Sequence, residues 1–286
     1  MKKILFDKYQ GNGNDFIIID SRGVNTIDLI LNEGTILIKR LCNRQFGIGA
    51  DGIIFVLDPD NDNDAKMRIF NSDSSEAQMC GNGIRCLVEY LHNSNLNTDE
   101  VSINFKIETN SGLKIANYSN TGIRVKMGRP VLDNHLIPTS ISNKTKSLFS
   151  TQFTQGQFSS KGYAVGMGNP HLIFFVEDLS TINVSQLGPF FENSSFFPEK
   201  TNVHFCQIIN EKNIKVKVWE RGSGVTLACG TGACAVHVAA YSLGFCDKIT
   251  NISLPGGDLV IDWDNSDKEV EMTGLATKVF NGQLLI

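Results

Sequence analysis

One block of the chain occurs twice. Residues 67–83 read Met-Arg-Ile-Phe-Asn-Ser-Asp-Ser-Ser-Glu-Ala-Gln-Met-Cys-Gly-Asn-Gly, and residues 216–232 read Val-Lys-Val-Trp-Glu-Arg-Gly-Ser-Gly-Val-Thr-Leu-Ala-Cys-Gly-Thr-Gly. They align without a gap as an alternating strand, a polar loop, Cys-Gly-x-Gly and then an apolar helix. Other landmarks repeat in the same order: Gly11-Asn-Gly-Asn14 with Gly166-Met-Gly-Asn169, Gly112 with Gly257, and Gly128 with Gly274. A chain made of two copies folds as two like halves. Short strands with one dominant helix per half predict an α+β fold of two pseudo-twofold-related domains. Each is expected to be a mostly antiparallel, mixed β-sheet wrapped around a central α-helix. The expected halves are residues 1–122 with 276–286, carrying Cys80, and residues 123–275, carrying Cys229.

At 286 residues, 41% of them hydrophobic, the chain can bury two proper cores. A net charge of −4 without a Lys/Arg run argues against a nucleic-acid partner. No stretch approaches a membrane span, and the N-terminal apolar run is too short for a signal peptide. Seven cysteines, an odd number, then predict free thiols in a reducing cytoplasm. Zinc is the rival use of cysteine, but there is no Cys-x-x-Cys and no His pair at ligand spacing, so no metal site is expected.

Along the chain, helical spacing predicts a helix over 27–43 and another over 83–92. The Gly-rich loop before Gly52 leads into a strand, which excludes the dinucleotide-binding context. Residues 128–156 read as a weakly patterned joining region, and Phe190 through Pro198 as a loop with Phe packed under it. From Ala233 to Leu243 the residues are apolar on almost every face, which predicts a buried helix.

Chemistry concentrates at the two matched cysteines. A thiol at a helix N-terminus feels the positive pole of the dipole, which favours the thiolate. The uncovered N–H groups of the Gly-rich start also form a seat for a carboxylate. Two weak acids flanking one tetrahedral carbon suit stereoinversion: one thiolate removes a proton while the opposite thiol delivers one. Pseudo-twofold halves are expected to bring the two cysteine-bearing helix ends face to face. No motif for a metal or pyridoxal cofactor is present, so charge on a substrate carboxylate would be held by helix-terminal N–H groups. The halves differ where an asymmetric substrate requires it: Phe16 corresponds to His171, Asn71 to Glu220 and Ser72 to Arg221. His171 and Glu220 are candidates for setting which sulfur is charged. Arg221 offers a bidentate fork to a carboxylate. Asn14, Asn71, Asn169 and Asn202 can each present an amide to an ammonium or carboxylate. The plain alternative is a pair of buried structural cysteines.

These residues resemble those of one known family, the diaminopimelate epimerases, over essentially the whole chain. The matching motifs are Gly13-Asn14-Asp15-Phe16, Asn71 through Glu76, Cys80-Gly-Asn-Gly-Ile-Arg-Cys86, Gly168-Asn169-Pro-His171, Glu220-Arg-Gly and Ala228-Cys-Gly-Thr-Gly-Ala-Cys. The resemblance implies cofactor-independent interconversion of LL- and meso-2,6-diaminoheptanedioate, in lysine and peptidoglycan-precursor synthesis. It implies Cys80 and Cys229 as the acid/base pair, with His171 and Glu220 tuning the thiols. Substrate contacts follow at Asn14, Asn71, Gly81, Asn82, Asn169, Asn202, Glu220, Arg221, Gly230 and Thr231. It also implies a last strand that returns to the first domain, and a homodimer in which Phe280 takes a position held by an interface Tyr in some members. Ser74 and Gly52 depart from the family pattern, which usually has Gly at the first and sometimes Gln at the second. A proline-racemase-like enzyme and a non-catalytic amino-acid-binding module are the rival readings. The first usually carries Cys-Gly-His where this chain has Cys80-Gly81-Asn82. The second would not exchange the substrate's Cα proton.

Overall fold

The computed structural model describes residues 3–24, 26–32, 35–94, 102–133, 135–140, 148–264 and 267–285. The chain divides into two compact units, Met1–Val125 with Gly274–Ile286, and Lys126–Thr273. In chain order the first unit contains β1 (Lys3–Gly11), β2 (Asn14–Asp20), α1 (Thr26–Asn32), α2 (Thr35–Cys42), β3 (Gly52–Leu57) and β4 (Ala65–Asn71). It continues with β5 (Glu76–Ala77), α3 (Gly81–Ser94), β6 (Ser102–Thr109), β7 (Gly112–Ser119) and β8 (Gly122–Lys126). The second contains β9 (Phe149–Gln155), β10 (Phe158–Gly166), β11 (Pro170–Phe175), α4 (Val184–Glu192), β12 (Asn202–Asn210) and β13 (Asn213–Glu220). Then come β14 (Gly224–Thr226), α5 (Gly230–Ser242), β15 (Ile249–Leu254), β16 (Gly257–Asp262) and β17 (Glu271–Gly274). The chain closes with β18 (Thr277–Leu285), which pairs antiparallel with β1 of the first unit.

The duplication is visible in the pairing of each unit taken by itself. In the first, β2 pairs parallel with β3, β3 antiparallel with β4, and β4 parallel with β6. In the second, β11 pairs parallel with β12, β12 antiparallel with β13, and β13 parallel with β15. Register agrees as well: Phe16 stands opposite Gly52, and His171 opposite Asn202. Strand β18 gives β1 the antiparallel neighbour that β9 gives β10.

Side-chain alternation along the central strands decides what each face meets. In β3, Ile53 and Phe55 join Ile27, Ile30 and Ile38 of α1 and α2 in one core. Ile54 points the other way and comes close to Gly83 at the start of α3. In β12, Val203 and Phe205 join Val184, Leu187 and Phe191 of α4. His204 points the other way and lies against Gly232 at the start of α5. With helices on both faces, these strands read as continuous apolar runs rather than as alternation. Helix α3 is packed by β1, β2, β3, β7 and β18, and α5 by β10, β11, β12, β15 and β16.

Several local expectations change. The helix expected over 27–43 is two helices, Thr26–Asn32 and Thr35–Cys42, and residues 33–34 lie outside the described residues. The Phe-rich loop is partly helix: Asn183 caps α4 by accepting from the Gln186 N–H, and Phe190 and Phe191 belong to its last turn. The joining region holds strand β9, paired with β10, while its residues 141–147 lie outside the described residues. Helix α3 begins two residues earlier than its spacing predicts, at Gly81. No helix among the described residues is long and apolar enough to cross a membrane.

Candidate active site

Both cysteines sit at the residue before a helix. At Cys229 the backbone is extended (φ −129°, ψ 110°), and Sγ accepts the Gly232 N–H at 3.3 Å while the carbonyl accepts the Ala233 N–H at 2.9 Å. Cys80 repeats this: Sγ accepts the Gly83 N–H at 3.5 Å and its carbonyl the Ile84 N–H at 2.9 Å. Sulfur thus takes the place that Ser or Asp fills at an ordinary N-cap. Glycine at the third helical position is required by space at 232 and favoured by it at 83. A Cβ at Gly232 would stand 2.2 Å from Cε1 of His204, and one at Gly83 would stand 3.2 Å from both Ile54 and Ile69.

Around Cys80, which is half-buried, the polar side chains form a directed chain. Arg85, wholly buried, can only donate, and Nη2 donates to Asn82 Oδ1 at 3.1 Å and Asn12 Oδ1 at 2.6 Å. Asn82 must then present Nδ2 to Asn14 Oδ1, at 3.2 Å. Asn14 presents Nδ2 to Asp51 at 2.8 Å, and its Oδ1 also accepts from Cys80 Sγ at 3.8 Å. Behind this lies an ion cluster. Arg44 bridges Asp15 and Asp51, and Lys8 pairs with Asp15 at 2.7 Å and donates to the Gly49 carbonyl. Burial opposes ionisation of Asp15, but the Arg44 and Lys8 hydrogen bonds overcome it and hold its carboxyl well below the usual range.

Cys229 is buried, and its thiol titrates well above the usual value. Desolvation is the largest cause and the Glu220 carboxylate the next; hydrogen bonds from Thr231 and Gly232 oppose them without prevailing. This reverses the thiolate expected from the helix dipole. A helix N-terminus contributes at most about 2 kcal/mol, roughly 1.5 pKa units, whereas full burial shifts a group by up to about 3–5 units. Glu220 also hydrogen-bonds the thiol, so the proton on sulfur has an acceptor at hand.

The other expected residues fall as follows. His171 is buried; Nε2 stands 2.7 Å from Asn169 Oδ1, and Nδ1 stands 2.9 Å from His204 Nε2. Asn202 braces the turn after β13: Nδ2 donates to the Pro170 carbonyl at 3.0 Å, and Oδ1 accepts the Arg221 N–H at 3.0 Å. Arg221 is exposed and reaches the Glu199 carbonyl at 2.9 Å. Asn71 is exposed and donates to Ser75 Oγ within its own turn. Thr231 Oγ1 is 3.6 Å from Cys229 Sγ, and Gly81 and Gly230 are buried as the first residues of α3 and α5. Phe280 is exposed on β18, its ring edge-on to Phe6.

Sequence reasoning passes over four residues. Arg85 is a lone cation on the inward face of α3 among Ile84, Leu87 and Val88, and that misplaced charge is the available signal. Asp51 follows a Gly-rich loop and gives no signal until Asn14 is seen against it. Glu192 is buried, accepting from Trp219 Nε1 at 2.6 Å and from the Gly222 N–H at 3.1 Å, so it anchors the Glu220–Arg221 turn. His204 lies within an apolar strand, and only its parity opposite Val203 and Phe205 turns it toward α5.

Comparison with known proteins bears on this arrangement. The sequence model of the family described as diaminopimelate epimerase matches residues 6–132 and 163–279. A diaminopimelate epimerase of Prochlorococcus marinus (strain NATL1A) is 47% identical over 280 residues, covering 98% of either chain. That of Halothermothrix orenii is 45% identical over 290 residues, covering 99% of either. Among solved structures, a hydroxyproline epimerase from Agrobacterium vitis shares the fold at a TM-score of 0.69 and 14% identity, over 99% of this chain and 92% of that one. A PhzF-family phenazine biosynthesis protein from Bacillus anthracis does so at 0.67 and 18%, over the whole of both chains.

Burial also lowers the pKa of three histidines, His171 well below the usual value, His204 to about 3 and His237 to about 4. The unfolded chain binds more protons than the folded one between those values and about 6.5, so stability is lost as pH falls through that window. Each group contributes up to about 1.4 kcal/mol per pH unit. The urea midpoint is expected to fall steadily from about pH 7 to about pH 4.5, and less steeply in His204→Gln. A midpoint that stays level over that range would show that these imidazoles take up protons in the fold as they do in the unfolded chain.

Proposed function

Because this chain belongs to the diaminopimelate epimerase family, we propose that Cys80 and Cys229 are the acid/base pair that inverts Cα of diaminopimelate. The chain is an isomerase that epimerises this dicarboxylic amino acid. One sulfur takes the Cα proton, the electron pair stays on the substrate, and the other sulfur gives a proton to the opposite face. Cys229, buried beside Glu220, rests as the thiol and is the donor; Cys80, once its own proton has left the contact with Asn14 Oδ1, takes the substrate proton, and the roles exchange in the reverse direction. Glu220 tunes this protonation directly; His171, neutral and bound through both ring nitrogens, acts through Asn169. No organic cofactor or metal takes part in this scheme.

The observation that supports this reading most is the repeated cap, Sγ on the N–H of the third helical residue, at both cysteines. The N–H groups of Gly81, Asn82, Gly230 and Thr231 then hold the carboxylate next to the reacting carbon, where charge builds in the transition state. Asn14, Asn71, Asn169, Asn202, Glu220 and Arg221 bind the rest of the substrate. In Cys80→Ala and in Cys229→Ala, epimerisation is expected to fall by at least about a thousandfold, while loss of the sulfur cap, about 1 kcal/mol, lowers the thermal midpoint by only a few degrees. Turnover of proline in place of diaminopimelate by the wild type, or substantial racemisation in either variant, would overturn the scheme.

We infer in addition a cytoplasmic homodimer serving lysine and peptidoglycan-precursor synthesis. All seven cysteines are free thiols, which fits a reducing compartment. On β18 and just before it the chain exposes the apolar side chains Leu275, Val279, Phe280 and Leu285, which a partner would cover. Sedimentation is expected to give twice the chain mass for the wild type and the single mass for Phe280→Glu; a monomeric wild type would exclude the dimer.

A further inference from the structure

We propose that His204 is a positioning residue for this reaction: its Nε2–H fixes the tautomer of His171, and His171 in turn fixes the amide of Asn169 with its N–H groups directed at the substrate. The proposal rests on the reading of Asn169 as a substrate contact.

The direction of the chain follows from one atom. His204 Nδ1 is buried and has no hydrogen-bond partner among the described residues. A buried N–H without an acceptor is rarer than a buried acceptor without a donor. The proton of neutral His204 therefore sits on Nε2, which is 2.9 Å from His171 Nδ1. Nδ1 of His171 is then the acceptor, so its proton is on Nε2, 2.7 Å from Asn169 Oδ1. With Oδ1 engaged, Asn169 keeps Nδ2 as a donor for a carboxylate. Burial holds both rings neutral, and so preserves the order of donors and acceptors.

The other half of the molecule shows that packing alone does not call for these two rings. By strand register, His171 and Asn202 correspond to Phe16 and Gly52, and His204 therefore to Ile54. Ile54 meets Gly83 at the start of α3, as His204 meets Gly232 at the start of α5. An apolar pair fills the space in the first half. In the second, two imidazoles fill it, with one nitrogen left unsatisfied in the interior, a cost that the apolar pair avoids. The ring of His204 lies against Gly232, whose N–H is the one that holds Cys229 Sγ.

The test uses His204→Leu, which removes the donor, and His204→Gln, whose amide N–H reaches a similar place. In the wild type, ¹⁵N-detected spectra are expected to show His171 protonated at Nε2 and bare at Nδ1. His204→Leu is expected to raise KM for diaminopimelate about tenfold, the scale of one lost hydrogen bond, with a smaller change in kcat. It should also mix the two tautomers of His171. His204→Gln is expected to restore KM to within about threefold of the wild type. A folded His204→Leu enzyme with wild-type KM and an unchanged His171 tautomer would overturn the proposal. So would a wild-type His171 protonated at Nδ1, a result that needs no variant to fold. Failure of the underlying reading shows separately: Asn169→Ala with wild-type KM would remove Asn169 from the substrate site and leave the tautomer result standing.

Discussion

The contact on which the rest depends is a backbone N–H pointing at a sulfur. It occurs once in each half, from Gly83 to Cys80 and from Gly232 to Cys229. It needs a helix that starts at the residue after the cysteine. A strand residue lies against the third helical position, leaving no room for a side chain at Gly232 and little at Gly83. In the first half that residue is Ile54, in the second His204. Helix, strand and thiol are thereby held together at the start of α3 and of α5.

The cap alone does not make a reactive thiolate. At Cys229 the desolvation of a buried sulfur and the neighbouring Glu220 carboxylate outweigh the N–H and hydroxyl contacts, and the proton stays on. That is the useful outcome for a scheme in which one sulfur must donate. The two halves then differ in what stands behind the amides. In the first, the order of donors begins at the Arg85 guanidinium and ends at the Asp51 carboxylate. In the second it begins at a neutral imidazole and ends at Asn169. A duplicated backbone with unequal polar chains is what an asymmetric substrate calls for.

Much of this is legible in the residues. The repeated block announces two like halves, and the Cys-Gly-x-Gly starts locate the thiols. Other features depend on distance in space. The helix α4, with Pro189 inside it, does not follow from apolar spacing. Strand β9 is held by its pairing with β10 rather than by its own Ser/Thr-rich sequence. The direction of the Cys229 shift runs against its motif because a dipole is local and visible in a few residues, whereas burial is a property of the whole unit. His204 is hidden for a related reason: between Val203 and Phe205 it reads as one more strand residue until Gly232 is found beneath it.

The central claim is that two differently protonated sulfurs serve opposite faces of one carbon. Initial-rate turnover of a single stereoisomer of diaminopimelate in D₂O tests it most directly. The account requires one deuteron at Cα of the inverted product while the recovered substrate stays unlabelled, since the donor has exchanged with solvent and the acceptor holds the abstracted proton. Label entering recovered substrate as fast as product would mean that a single base serves both faces, and would contradict it.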